Sequence, residues 1–137
     1  MRTLSPPDPK LWQSRADWFW RVHDINAGPY PLDLGPRASL LLAELETVFC
    51  AGAWASVVIV AWALVEAEQR KAARALAVRG EQERPEPDVD WLREQRNALI
   101  HVGADDPDQV PEEAELEKLA QGAVRVAFKT LFSAAWK

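Results

Sequence analysis

The residues best suited to chemistry in this sequence are Arg96, Asn97 and His101, which lie close together in one stretch. An imidazole has an unperturbed pKa of roughly 6.5, so it can accept a proton from a ribose 2′-hydroxyl or donate one to a leaving oxygen. A guanidinium stays charged and holds a phosphate through two parallel hydrogen bonds, and an amide can orient either group without adding charge. These residue types favour metal-free cleavage of RNA, which leaves a 2′,3′-cyclic phosphate and a free 5′-hydroxyl.

The spacing of these residues says how they could meet. Arg96 and His101 are five positions apart, about 140° around a helix of 3.6 residues per turn, so they do not share a face. Asn97 and His101, at i and i+4, do share one. The spacing therefore favours a site built by two copies of the chain across a two-fold axis. The residues leave another interpretation open, in which the Arg and the His merely cap the carboxyl end of a helix.

Composition limits the classes of protein and of partner. The chain has 137 residues, 48% of them apolar and 27% charged, which is typical of one globular domain. Its net charge of −5 argues against stable coating of DNA. Residues 80–118 carry a net charge of −9, from 13 acidic and 4 basic side chains. The remainder is net positive and could still meet an anion.

The counts of metal-binding residues and the first residues of the chain lead to three further expectations. With one cysteine, Cys50, and two histidines, the chain cannot form an internal disulfide or a cysteine-based zinc site, and we expect no metal and no cofactor. Residues 1–10 contain three prolines and no apolar run, so the sequence predicts no secretory signal. A reducing, cytoplasmic location is the expectation.

Hydrophobic periodicity predicts an all-α fold, because apolar residues recur at helical spacing and nowhere alternate with period two. We expect an antiparallel four-helix bundle over residues 38–137, with helices starting near Ser39, Trp54, Asp88 or Asp90, and Pro111. The second of them should run to about Leu76. Residues 1–37 are expected to form an N-terminal arm with a short helix from Leu11 to His23. The aromatic residues of that helix must bury against the bundle or against a second chain, whereas His23 is expected at the surface.

A membrane-associated helix is a weaker alternative. Residues 47–65 are 19 consecutive uncharged residues, near the minimum length for a spanning helix. Gly52, Ser56 and several alanines lower the apolar content of this stretch, and Trp54 lies away from its ends. A buried helix of the bundle explains the same residues, so we expect no membrane contact.

The motif and the order of the helices resemble the HEPN superfamily. The run Arg96-Asn97-x-x-x-His101 is similar to the Arg-x4-His signature of that family, in which a polar residue, often Asn, follows the Arg. The stretches 50–58 and 63–66 are similar to the Gly-aromatic-x-Ala and Ala-Leu-Glu patterns of its second bundle helix. The resemblance covers residues 39–136 and leaves out the arm.

This resemblance implies a four-helix bundle that dimerises with its two motifs facing each other. Many members of the family are metal-independent endoribonucleases of defence or toxin–antitoxin systems. By resemblance, Arg96 would hold the phosphate, His101 would be the general acid or base, and Asn97 would support them. Other members keep the fold without activity and serve as dimerisation, partner-binding or ligand-binding modules. The implied partners are a second copy, an RNA substrate, and a cognate antitoxin or other partner protein.

Several further side chains could support the site. Glu66 is expected to meet Arg96 across the bundle, either to orient it or as a partly buried ion pair. Arg70, Lys71 and Arg74 form a positive run that could follow an RNA backbone or simply end a solvated helix. Cys50 lies among apolar residues and is expected to be a buried, unreactive thiol.

Overall fold

The computed structural model describes residues 4–29, 33–100 and 110–135. Its described part is all helical and contains five helices: α1 (Pro9–Asn26), α2 (Pro36–Ala51), α3 (Trp54–Val78), α4 (Pro87–Ile100) and α5 (Glu113–Ala135). The all-α prediction is confirmed. Helix α3 is central, because it packs against α2, α4 and α5, while α1 lies against α2 and α5.

Two prolines begin helices near the positions that the sequence indicated. Pro9 and Pro36 each occupy the first turn of a helix, where a missing N–H costs nothing. Asp8 caps α1 through its side-chain oxygen, which accepts from the backbone N–H of Leu11 at 2.9 Å. Helix α2 begins at Pro36 after Gly35, so the start expected near Ser39 is wrong by about one turn.

The break between α2 and α3 is where the sequence predicted it. Gly52 adopts φ 76°, a left-handed conformation that is costly for a residue with a Cβ, and its N–H points back to the carbonyl of Phe49. Arg15 of α1 also closes this end of α2, since its Nη1 donates to the carbonyl oxygen of Cys50 at 3.1 Å. The same guanidinium lies 4.8 Å from the centre of the Trp54 ring. The turn thus fixes α1, α2 and α3 to one another.

Helix α1 belongs to the core of the fold. It spans 18 residues, longer than the expected segment from Leu11 to His23. Phe19 is fully buried, with its ring 5.0 Å from that of Phe128 and 6.1 Å from that of Phe49. Trp18 stacks on Phe49 at 4.9 Å. Of the two possibilities for the aromatic residues of this helix, the structure shows burial against the rest of the same chain for Phe19.

Helices α3 and α5 together supply most of the buried core. The buried residues of α3 recur at helical spacing and are Trp54, Val57, Val58, Ala61, Trp62, Leu64, Val65 and Glu68. Glu68 is the charged residue among them and is only 7% exposed. Beyond it the helix becomes largely exposed. Helix α3 ends at Val78, two residues past the predicted end.

Helices α4 and α5 pack on the same side of α3. Trp91 of α4 lies against Gly122 of α5, where a Cβ would come within 2.7 Å of the indole ring. Lys129 of α5 forms an ion pair with Asp88 of α4 at 2.5 Å. Helix α5 begins at Glu113, two residues after the expected start at Pro111. The predicted end of the α4 segment, near Gly103, lies outside the described residues.

Candidate functional site

An open groove lies between α3, α4 and the segment that joins them. Its volume is about 440 Å³. Helix α3 contributes a stripe spaced at i, i+4, i+7, i+8 and i+11, α4 contributes two arginines, and the connecting segment contributes one carboxylate. The lining residues are Trp62, Glu66, Gln69, Arg70, Ala73, Glu83, Arg93 and Arg96. The groove therefore brings together three guanidinium groups and two carboxylates.

Arg96 is the residue of the predicted motif that the structure places in this groove. Its guanidinium carbon is 5.4 Å from the centre of the Trp62 ring, and that of Arg93 is 5.3 Å from the same centre. An indole face attracts a cation without neutralising it. Within residues 4–29, 33–100 and 110–135 the structure shows no ion pair for Arg96, and its buried Nε has no hydrogen-bond partner there. Within those ranges, the guanidinium of Arg96 therefore has the indole of Trp62 beside it and no ion-pair partner.

Asn97 and His101 complete the predicted motif, but the structure describes only the first of them. Asn97 is half-buried and is not among the groove-lining residues. Its Oδ1 is buried and has no hydrogen-bond partner in the described part of the chain. His101 follows the last residue of α4 and lies outside the described residues. Arg96 therefore lies on the face of α4 that lines the groove, and Asn97 does not. The predicted approach of Arg96 and His101 to each other stays a prediction.

Glu66 lies in the groove with Arg96 but bonds to a different arginine. Its Oε1 accepts from Nη2 of Arg70 at 2.5 Å, as an i,i+4 pair on the surface of α3. Glu66 was expected to pair with Arg96 across the helices, and the observed partner is the nearer one in sequence. Lys71 and Arg74 are exposed and are not among the lining residues. Of the predicted positive run, only Arg70 faces the groove.

Most of the groove was not predicted from the sequence. Trp62 is 7% exposed and belongs to the core, but its ring also lies beneath two arginines. Arg93 and Arg96 are three positions apart on α4, and this i,i+3 spacing was a signal that they share a face. Glu83 carried no comparable signal, because only tertiary structure brings the connecting segment against α3.

The sequence also predicted the surroundings of two other titratable residues, His23 and Cys50. His23 was expected at the surface, and its side chain is 27% exposed. Its ring also packs edge-on against Phe128 at 5.6 Å and Phe132 at 5.3 Å, with Nδ1 2.9 Å from Oδ1 of Asp24, so the prediction is correct only in part. Cys50 is fully buried, as predicted, and burial raises the pKa of its thiol above the usual value. Among the described residues, no group of three or more His, Cys, Asp or Glu side chains could hold a metal ion.

Neither the apolar character of the helices nor comparison with known proteins assigns a function to this chain. None of the helices in the described ranges combines the length and the apolar character needed to cross a membrane. No protein-family model matches the sequence, and neither the curated proteins nor the solved structures contain a significant match.

Proposed function

We propose that this chain is a HEPN-like, metal-independent endoribonuclease of a defence or toxin–antitoxin system, acting as a homodimer. In this proposal α2, α3, α4 and α5 are the four helices of the bundle, and α1 is a helix added to it. The all-helical fold, the break at Gly52 and the Arg-Asn-x-x-x-His run at the end of α4 support it.

The observation that carries the proposal is the state of Arg96. Its guanidinium is seated on Trp62, faces an open groove and has no ion pair within the described part of the chain. A phosphate could therefore bind it without displacing a carboxylate of the described residues. The indole also limits where the guanidinium can move, so less conformational entropy is lost when a phosphate binds.

The reaction assigned to the motif is an internal transesterification of the RNA strand. The ribose 2′-oxygen attacks the adjacent phosphorus, the bond from phosphorus to the 5′-oxygen breaks, and the products are a 2′,3′-cyclic phosphate and a 5′-hydroxyl. His101 accepts the proton from the 2′-hydroxyl or donates the proton that the 5′-oxygen gains. Arg96 binds the phosphate oxygens, whose charge grows in the transition state. Asn97 is a positioning residue in this scheme.

The spacing of the motif favours a dimer in this proposal. Positions 96 and 101 would be about 140° apart on a regular helix, so one copy of the motif would present the two side chains in different directions. Two copies related by a two-fold axis can place the Arg of one beside the His of the other. We therefore assign each site one residue from each subunit.

The test is cleavage of single-stranded and structured RNA in the presence of a chelator. We expect products with cyclic phosphate ends, and a loss of at least about 100-fold in rate in His101→Ala, because general acid–base catalysis contributes about that much or more. Arg96→Ala should lose activity as well. Arg125→Ala is the matched control, since Arg125 also lies over an indole, that of Trp18, at 5.2 Å. Absence of cleavage, or cleavage that persists in both motif variants, would refute the enzyme.

A complementation experiment tests the shared site. Chains carrying Arg96→Ala and chains carrying His101→Ala are each inactive alone. Co-expressed, they form mixed dimers in which one of the two sites has both wild-type residues, so part of the activity should return. If the mixture stays inactive although the mixed dimers are detected by mass spectrometry, each site is built by one chain.

The second candidate is an inactive HEPN-like module that binds a partner protein or a ligand. Two carboxylates, those of Glu66 and Glu83, line the same groove as Arg96. The region from 80 to 118 is also strongly acidic, with its net charge of −9, and repels polyanions. This candidate predicts a dimer by analytical ultracentrifugation with no RNA turnover.

A further inference from the structure

The proposed cleavage step uses only Arg96 among the residues that line the groove. The other lining residues, which include Arg93 beside the same Trp62 ring, form a second part of the groove. Along α3 the groove reaches from Trp62 to Ala73, about 16 Å at 1.5 Å per residue. Its volume of about 440 Å³ falls within the range of about 300–1,000 Å³ found for small-molecule sites. A group larger than a single phosphate therefore fits beside Arg96.

This second part of the groove carries hydrogen-bond donors on arginines that also form ion pairs. Nη2 of Arg70 is bonded to Glu66 at 2.5 Å, and Nη1 of Arg93 is bonded to Asp90 at 2.9 Å. A guanidinium has five N–H groups, so each arginine keeps donors for a ligand. An ion pair on one edge of a guanidinium limits the directions in which its remaining N–H groups can point.

The same part of the groove carries an acceptor. Glu83 lines it from the segment between α3 and α4, and the described residues include no ion pair or hydrogen bond to its carboxylate. A carboxylate presents two oxygens in one plane and accepts two parallel N–H groups. The groove thus offers a planar acceptor in Glu83 and planar donors in Arg70 and Arg93.

We propose that this part of the groove is a subsite for one guanine nucleotide of the RNA strand whose phosphate binds Arg96, an inference that rests on the proposed function. Guanine is the base that fits both kinds of group. Its Watson–Crick edge has two adjacent donors, N1–H and the N2 amino group, which match a carboxylate. Its other edge has two acceptors, O6 and N7, which match an arginine. Adenine and cytosine mix donors with acceptors on the Watson–Crick edge, and uracil has a single donor there.

The arginines also offer a surface for the ring. In complexes with single-stranded RNA, splayed bases stack on aromatic rings or on the planes of guanidinium groups. Arg93 lies on Trp62, with its guanidinium in the groove lining, so a base can stack on the arginine without entering the core. In this arrangement Arg93 supports the face of the base, Arg70 donates to its O6 and N7, and Glu83 accepts from N1–H and the N2 amino group and so selects guanine.

Calorimetric titration of the full-length chain with the four 3′-mononucleotides, in the presence of a chelator, tests the subsite without requiring catalysis. We expect 3′-GMP to bind about tenfold more tightly than 3′-AMP, 3′-CMP or 3′-UMP, which is within the range that one bidentate base contact supplies. Glu83→Gln should reduce 3′-GMP to the affinity of the other three. Glu94→Gln is the matched control, because Glu94 is exposed on α4 outside the groove lining and its loss changes the net charge equally.

The outcomes separate this inference from the nuclease. Equal affinity for the four nucleotides, or no binding of any, overturns the guanine subsite, and so does cleavage of RNA at sites with no guanine preference. A preference for 3′-GMP that Glu83→Gln removes supports the subsite, even if the chain fails to cut RNA, in which case only the nuclease is refuted. A preference that Glu83→Gln and Glu94→Gln reduce equally also overturns it, because net charge alone would then explain the effect.

Discussion

Replacing Phe19 with alanine tests whether α1 is part of the fold or an attached arm. The Phe19 side chain is fully buried, and its ring lies 5.0 Å from that of Phe128 and 6.1 Å from that of Phe49. Removing a fully buried phenyl ring costs about 3–5 kcal/mol, from the lost transfer free energy and the cavity left behind. A chain of this length is stabilised by about 7–20 kcal/mol in total. Phe19→Ala should therefore remove a large part of the free energy of unfolding.

The measurement is urea denaturation followed by circular dichroism, with the free energy of unfolding extrapolated to water. Ile25→Ala is the control on the same helix, because Ile25 is 76% exposed and its loss should cost about 1 kcal/mol or less. We expect one cooperative transition for both variants, with the midpoint lowered much more by Phe19→Ala. Equal and small losses in the two variants would show that α1 is an independent arm, and the reasoning from burial would be refuted.

Three further predictions concern the turn at Gly52, the thiol and a surface ion pair. Gly52→Ala should destabilise the protein by about 2 kcal/mol in thermal or urea unfolding, since the left-handed conformation costs about 1–2 kcal/mol and the new Cβ would lie 2.9 Å from Nη1 of Arg15; a neutral effect would contradict it. Cys50 should react slowly with a thiol reagent at pH 8 and rapidly after denaturation, because burial raises its pKa; fast reaction in the folded state would contradict it. Lys129→Gln should cost at most about 1 kcal/mol, because the pair with Asp88 is largely exposed. The hydrogen bond to Asp88 raises the pKa of Lys129 in the folded state. The loss of stability in Lys129→Gln should therefore be complete at pH values below the unfolded pKa of lysine and should vanish as the pH rises through the folded pKa. A loss of stability that persists above the folded pKa would contradict this prediction.

Local chemistry in the sequence was enough to predict the type and the approximate bounds of the helices. Glycine at position 52 and prolines at 9 and 36 act through backbone constraints that do not depend on distant residues, so the breaks near them were predictable. The apolar circumference of α3 likewise predicted burial on most sides. The helix ends were less accurate, as at Ser39, because several residues can cap a helix and packing selects among them.

Tertiary packing determined where the aromatic residues of the arm are buried and which residues line the groove. The aromatic residues of α1 required a partner, but only the positions of Phe49 and Phe128 show that Phe19 finds it in the same chain. Glu66 was expected to meet Arg96 of another helix, but it pairs with Arg70. Arg70 lies one turn away on the same helix, so the two side chains are neighbours without any tertiary contact. Arg96 was predicted as a phosphate-binding residue from its type and its neighbours in sequence. Its position on Trp62 beside Arg93, in a groove that Glu83 also lines, depends on contacts between segments that are separated in the chain, which no local pattern encodes.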